Sequence, residues 1–118
     1  MAVFEVRPMA TFSGLRGVPL LALSHNALFP ALTIGPLGVV IRVIRNHELR
    51  YDAIETITAT RMFGIQVTFV PRAGLRSFTA GFAGDAAVVP VLAALRRHGA
   101  PLDHAALARL AAGKSPAA

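Results

Sequence analysis

The stretch 39–53, VVIRVIRNHELRYDA, decides the fold of this 118-residue chain. Residues 39–45 are rich in β-branched side chains and residues 48–53 alternate polar and apolar ones, so both are typical of half-buried β-strands. Asn46 lies between them and tolerates the left-handed backbone conformation that tight hairpin turns require. The stretch therefore predicts an antiparallel hairpin with residues 45–47 as its loop.

The hydrophobic pattern chooses the register of this hairpin. With residues 45–47 as the loop, Arg42 faces Arg50 across the two strands. One face is then apolar, and the other carries the charged side chains together with Val40 and Ile44. A shift by one residue would mix arginine with apolar side chains on one face, so we reject it.

Outward from the hairpin, the same period of two residues and the turn-forming residues predict the other strands. In IQVTFV at 65–70 the alternation predicts that Ile65, Val67 and Phe69 point inward. Gln66 and Thr68 then point outward. The other predicted strands lie at 2–8, 20–24, 30–34, 54–61 and 75–80, with a loop at 11–19 and turns at 35–38 and 71–74.

The period changes from two to 3.6 residues near Asp85. An acidic residue suits the first turn of a helix and Gly99 suits its end, so the pattern predicts a helix over 85–98. Residues 101–118 are expected to form a short helix from Asp103 or a frayed tail. The apolar stripe of the first helix consists of Val88, Val91, Leu92 and Leu95.

This order of strands before one helix resembles the bacterial pleckstrin-homology-like (PH-like) domains. The likeness covers about residues 29–100, from LTIGPLGVVIRVIRNHELRYDAIETI to VVPVLAALRRHG. Tyr51-Asp52-Ala53-Ile54 takes the place of the family's Tyr-x-x-Ile segment, and Leu95 to Gly99 takes that of its helix-end motif. The resemblance implies a mostly β fold, a bent antiparallel sheet or small barrel of about seven strands capped by a C-terminal helix, in one domain over 1–100.

The first 28 residues depart from the family pattern. Only the predicted strands at 2–8 and 20–24 are available to complete the barrel, and otherwise a partner chain would have to complete it. The resemblance implies a non-enzymatic binding or scaffold module. Lipid head groups, peptides and self-association are all uses of this fold, and fold alone does not choose among them.

The composition excludes several classes of protein. Hydrophobic residues make up 54% of the chain and charged residues 15%, which suits a packed domain and not a disordered one. Cysteine is absent, so disulfides, cysteine metal sites and thiol nucleophiles are excluded. The net charge of +6 comes almost entirely from arginine, with Lys114 as the only lysine. This excess is either functional or a consequence of genome composition.

The most apolar stretch, residues 18–41, is long enough by count to span a bilayer. Prolines and glycines between 30 and 38 would interrupt a helix, so we interpret the stretch as strands and turns with no transmembrane segment. A membrane-embedded segment is the alternative. No secretory signal is recognisable, and the expected location is the cytoplasm.

Candidate catalytic and metal-binding residues do not form a recognisable set. Ser24 and His25 are adjacent, and adjacent strand residues point to opposite faces. His98, Asp103 and His104 are close in sequence but lack the spacing of a metal site. Neither a nucleophile-elbow motif nor a phosphate-binding glycine motif is present. The sequence thus predicts no enzymatic activity, no cofactor and no metal.

Arginine provides a further functional signal, because guanidinium groups bind phosphate and carboxylate. Arg42 and Arg50 lie opposite each other in the predicted hairpin, and Arg72 and Arg76 lie in and after the last turn. These four form a candidate anion-binding set, which would hold the chain at an anionic lipid surface. Nucleic acid is a weaker alternative, since no DNA-binding motif or aromatic stacking platform accompanies the charge.

Self-association is the leading prediction. Val40 and Ile44 present apolar side chains on the charged face, and residues 18–34 hold more apolar side chains than one short strand can bury. Exposed edge strands also invite pairing with another copy. The sequence therefore predicts a binding or assembly module that forms a homo-oligomer or binds a protein partner, with binding of anionic lipid head groups or phosphates as the alternative.

Overall fold

The structure, a computed structural model, describes residues 4–8, 10–15, 18–25, 31–42, 46–61, 64–74 and 76–114. Within these ranges the fold is mostly β, with two helices at the C-terminal end, as expected. The strands are β1 (Phe4–Val6), β2 (Ala10–Leu15), β3 (Val18–His25), β4 (Ala31–Ile34), β5 (Gly38–Arg42), β6 (Asn46–Arg50), β7 (Ile54–Arg61), β8 (Ile65–Pro71) and β9 (Arg76–Phe82), and the helices are α1 (Asp85–Arg97) and α2 (His104–Lys114).

The strands form two antiparallel sheets. The first sheet has the order β1-β4-β5-β6, and the second has the order β3-β2-β9-β8-β7. At one corner the chain leaves β1 in the first sheet and enters β2 in the second. At another corner a 3-10 turn, Tyr51–Ala53, leads from β6 at the edge of the first sheet to β7 at the edge of the second. The bent antiparallel sheet that was expected is therefore two sheets, which the chain connects at these corners.

The core lies between the two sheets and under the helices. Both aromatic and branched side chains fill it, and β4 and β5 contribute every second residue to it. Helix α1 buries the stripe that its sequence predicts, and α2 adds Ala106 and Leu110. The fully buried large side chains include Leu32, Ile34, Ile41, Ile54, Ile57, Ile65, Phe69, Phe82, Leu92 and Leu95.

The segment between the helices covers one edge of the second sheet. The Ile57 N–H donates to the Pro101 carbonyl at 2.9 Å, and the Asp103 N–H donates to the Ile57 carbonyl at 2.8 Å. Asp103 also caps α2, because its Oδ1 accepts from the Ala106 N–H at 2.9 Å. The segment therefore packs against the core, where Ala106 and Leu110 are buried.

The predicted register of the β5–β6 hairpin is wrong. Arg42 faces Asn46 and not Arg50, which instead faces Gly38. The shift is even, so each side chain keeps its predicted face while the turn moves toward the N-terminus. Gly38 permits this register, since a Cβ there would overlap the Leu49 carbonyl and the Arg50 backbone. Ile44, predicted to lie opposite Glu48, is outside the described residues.

Two further expectations are corrected in the second sheet. Residues 11–15, predicted to begin the loop at 11–19, form most of β2, which pairs with β9 over its whole length. Gln66 and Thr68, predicted to point to solvent, are 7% and 1% exposed because both faces of this part of the sheet are covered. Thr68 satisfies its hydroxyl with the Thr79 hydroxyl, 3.0 Å away across β8 and β9.

The N-terminal residues form more strands than expected. The structure places β1, β2 and β3 before residue 26, where two strands were predicted. The described residues thus contain nine strands, against about seven implied by the resemblance and eight stretches predicted from the pattern, because β2 was not recognised. Local propensity is weak in ATFSGL, and pairing with β9 overrides it.

Candidate functional site

The turn at residues 35–38 is held in place by backbone and side-chain hydrogen bonds. The Gly35 N–H donates to the Gly38 carbonyl at 2.9 Å, and the Tyr51 N–H donates to the Leu37 carbonyl at 2.9 Å. The Tyr51 hydroxyl donates to the Gly35 carbonyl at 2.6 Å. Leu37 projects from this fixed turn with 68% of its surface exposed, although it is a large apolar residue.

An open groove lies beside this turn on the outer face of the first sheet. Its volume is about 580 Å³. The floor comes from β5 and β6, and apolar groups contribute more of the lining than polar ones. Exposed Glu48 and Arg50 place opposite charges on its rim. The lining residues are Gly35, Pro36, Leu37, Gly38, Val39, Val40, Glu48, Leu49 and Arg50, which we call the outer groove.

Tyr51 connects the outer groove to α1. Its ring stacks on His98, with centroids 6.3 Å apart and an interplanar angle of 17°. Partial burial raises the pKa of the Tyr51 hydroxyl to about 12, so the hydroxyl keeps its proton and remains a donor to Gly35 at neutral pH. The turn is therefore preorganised by a side chain that the core holds.

Two of the four predicted anion-binding arginines, Arg50 and Arg72, both contact Asp52. The Arg50 guanidinium pairs with the Asp52 carboxylate, with Nη2 3.2 Å from Oδ2. This hydrogen bond, aided by the charge of Asp52, raises the pKa of Arg50. Arg72 donates from Nε to the Asp52 carbonyl at 3.0 Å. Both side chains of the Arg50–Asp52 pair are mostly exposed, so the pair contributes little to stability.

The other two predicted arginines lie elsewhere. Arg76 lies over the Phe78 ring, 5.6 Å from its centroid, on the second sheet. The same ring contacts His47 of β6, at 4.7 Å between centroids. Arg42 is exposed at the far end of β5, and its carbonyl accepts a hydrogen bond from the Thr11 hydroxyl. The predicted four-arginine set is therefore not one site.

Of the two predicted interface residues, Val40 is half-buried in the outer groove. Sequence reasoning missed Leu37, because GPLG was interpreted as turn chemistry alone. A leucine between proline and glycine in a turn was the available signal, since such a position has no core to enter. The role of Tyr51 was not foreseen, because its partner Gly35 is sixteen residues away.

The described residues contain neither a cluster of metal-binding side chains nor a helix that could cross a membrane. There, no group of three or more His, Asp or Glu side chains is placed to hold a metal ion. The helices α1 and α2 are both too short, and no helix in the described ranges has the length and apolar character needed to cross a membrane.

Comparison with known proteins finds a likeness to solved structures. No protein-family model matches the chain, and no curated protein matches it. A chain in the solved structure of the Spt16D Pob3N heterodimer superposes with a TM-score of 0.60, over 87% of this chain and 54% of that one. The likeness is one of fold. Sequence identity is 11%, and this chain spans about half the length of that chain. The shared features are the mostly β architecture and the C-terminal helices.

Proposed function

We propose that this chain is a cytoplasmic, non-enzymatic protein-binding module of the PH-like type. In this proposal the outer groove receives an apolar side chain from a protein partner. The observation that carries it is Leu37, 68% exposed on a turn that three hydrogen bonds hold in place. A leucine exposed on a preorganised turn loses little conformational freedom when a partner covers it.

The charges around the groove favour a protein over a surface of a single charge. Glu48 and Arg50 lie on the same rim with opposite signs, and Asp52 neutralises Arg50 in part. A peptide segment that offers an apolar side chain between a basic and an acidic residue would match Leu37, Glu48 and Arg50 together. An anionic membrane would meet Glu48 and Asp52 unfavourably.

Two further observations support a binding module. The solved chain of similar fold belongs to a heterodimer, so a chain of this architecture occurs in a two-protein complex. The resemblance of residues 29–100 to PH-like domains also favours binding over catalysis. Neither observation names the partner, and the chemistry of the groove is the better guide to it.

The test is a photoreactive amino acid at position 37, with the same probe at Leu107 as the matched control. Leu107 is a second exposed large apolar residue, 37% exposed on α2. In the producing cells we expect discrete protein cross-links from position 37 and none from position 107. Equal labelling at both positions, or labelling of lipid alone, would contradict a protein-binding groove.

Binding of an anionic head group or phosphate is the second candidate, favoured by the approach of Arg50 and Arg72 to Asp52. It predicts binding to vesicles containing phosphatidylserine that weakens steeply with salt. Replacement of both arginines by glutamate would abolish that binding, whereas R42E, at the far end of β5, would not. Binding that is unaffected by the double replacement would exclude this site.

A further inference from the structure

Strand β6 is an open edge of the first sheet. It ends the order β1-β4-β5-β6, and within the described part of the chain β5 is its one strand neighbour. Its side chains are exposed at Asn46, Glu48 and Arg50 and half-buried between them. An edge of this kind is a template for a further strand unless something covers or repels it.

The hydrogen bond from the Tyr51 N–H to the Leu37 carbonyl shows which N–H and C=O groups of β6 point away from β5. Leu37 and Tyr51 continue the register in which Gly38 faces Arg50. Hydrogen-bonded pairs alternate with non-hydrogen-bonded pairs in an antiparallel ladder. Residues 47, 49 and 51 therefore direct their N–H and C=O groups to β5, and residues 46, 48 and 50 direct theirs outward.

The sequence of β6, NHELR, is complementary to itself in this phase. When a second copy of β6 runs antiparallel along the edge, a two-fold axis at Leu49 pairs Glu48 with Arg50 of the second copy, and Arg50 with Glu48 of the second copy. Both pairs use outward-directed backbone groups, so each exchanges two backbone hydrogen bonds. On the inner face, Leu49 meets Leu49 of the second copy.

The alternative two-fold axis, at Glu48, gives less favourable charge pairs and less apolar contact. A two-fold axis at Glu48 keeps the same hydrogen-bonding phase, but it places the two Glu48 carboxylates directly opposite each other. Like charges in that position destabilise a strand pair, whereas opposite charges stabilise it. It also replaces the contact between the two Leu49 side chains with contacts to His47.

We propose that a second copy of this chain pairs with β6, antiparallel, about a two-fold axis at Leu49. The two first sheets then form one continuous sheet containing both sets of four strands. The two outer grooves lie on the same face of it, on either side of the axis. This inference names one partner for the module and goes beyond the proposed function, because it uses the strand edge and not Leu37.

The decisive experiment measures solution mass by light scattering against concentration for charge variants of the full chain. We expect the unaltered chain to dimerise reversibly, with E48R alone and R50E alone each raising the dimer Kd by about tenfold or more, since each places like charges opposite twice. An equimolar mixture of E48R and R50E restores the dimer, because arginines of one chain then face glutamates of the other. This recovery also shows that both variants are folded.

The control is R97E, the same charge change at an exposed position on α1, which leaves the mass profile unchanged. An unaltered chain that is monomeric throughout, or a mixture that stays monomeric, overturns the proposal. A monomeric chain that still gives protein cross-links from position 37 would retain the proposed function while losing this inference. A dimer without cross-links at position 37 would retain this inference while losing the proposed function.

The axis itself is tested by a single cysteine, because the natural chain has none. Directly opposed residues of a non-hydrogen-bonded pair approach within disulfide range. We expect L49C to form a covalent dimer under mild oxidation and E48C to remain uncrosslinked. Cross-linking through position 48 and not 49 would overturn the axis at Leu49.

Discussion

Strands β6 and β7 follow each other in the chain, and each lies at the edge of a sheet. Their outer edges differ in whether another segment of the chain covers them. The edge of β7 is covered at Ile57, where residues 101–103 add a parallel bridge and two backbone hydrogen bonds. In the described ranges, no strand covers the outer edge of β6, a strand that carries the charged residues Glu48 and Arg50. The chain thus covers one edge with its own C-terminal segment and leaves the other open to a further strand.

The largest effect is expected from loosening the cover of β7. Replacement of Leu110, 1% exposed, by alanine removes core packing between α2 and the sheets and costs about 3 kcal/mol of unfolding free energy. Urea denaturation measures it. The matched control is L107A on the exposed side of the same helix, for which we expect less than about 1 kcal/mol. Equal losses would mean that α2 does not cover the core.

A smaller effect is expected at the start of α2. Removal of the Asp103 carboxylate in D103A leaves the Ala106 N–H without its cap and costs about 1 kcal/mol. D103N retains a cap acceptor and should lose little. Hydrogen exchange at the Ile57 amide should quicken in D103A, because residues 101–103 hold that amide. Unchanged exchange at Ile57 would show that the cover of β7 does not depend on this cap.

On the β6 side, Tyr51 gives a pH-dependent prediction. Burial raises its pKa to about 12, above the usual value near 10, so the folded state holds this proton more tightly than the unfolded state. The resulting stabilisation is fully present below pH 10 and is lost as the pH rises through 12. Because the side chain is about half exposed to solvent, we expect a loss of about 1 kcal/mol at most.

Urea titrations at pH 8 and pH 11 on the natural chain and on Y51F measure this loss. Tyr51 is the only tyrosine, so Y51F should remove the difference that it causes. At pH 8 the variant should also lose about 1 kcal/mol, because the Gly35 carbonyl loses its donor. A full pH difference persisting in Y51F would assign the effect to another group.

The smallest effect is expected at the exposed Arg50–Asp52 pair. D52N removes the charge at a site that is 70% exposed and should change stability by less than about 0.5 kcal/mol. It should nevertheless strengthen anionic-vesicle binding if Arg50 and Arg72 hold head groups, because it removes the competing carboxylate. A vesicle affinity that D52N leaves unchanged would count against that second function.

Much of the fold was predictable because local patterns specify it. The stripe Val88, Val91, Leu92 and Leu95 is buried as its helical spacing predicts, and the turn after Pro71 and the strand 54–61 lie where expected. The candidate site was less predictable. Arg50 and Val40 do line the groove, yet Leu37 matters because of Tyr51, whose hydroxyl reaches the turn from a distant part of the chain.

The sequence by itself determined the mostly β class, the face that each hairpin side chain takes and the position of the first helix, since these depend on periods of two and 3.6 residues. Only the tertiary structure decided the hairpin register, the cover of β7 and the burial of Gln66 and Thr68. A period of two is unchanged by an even shift, so it cannot distinguish Arg42 opposite Arg50 from Arg42 opposite Asn46. That choice depends on Gly38 and Tyr51, whose close contacts with Leu49 and Gly35 reach across the hairpin and form only once its strands have paired.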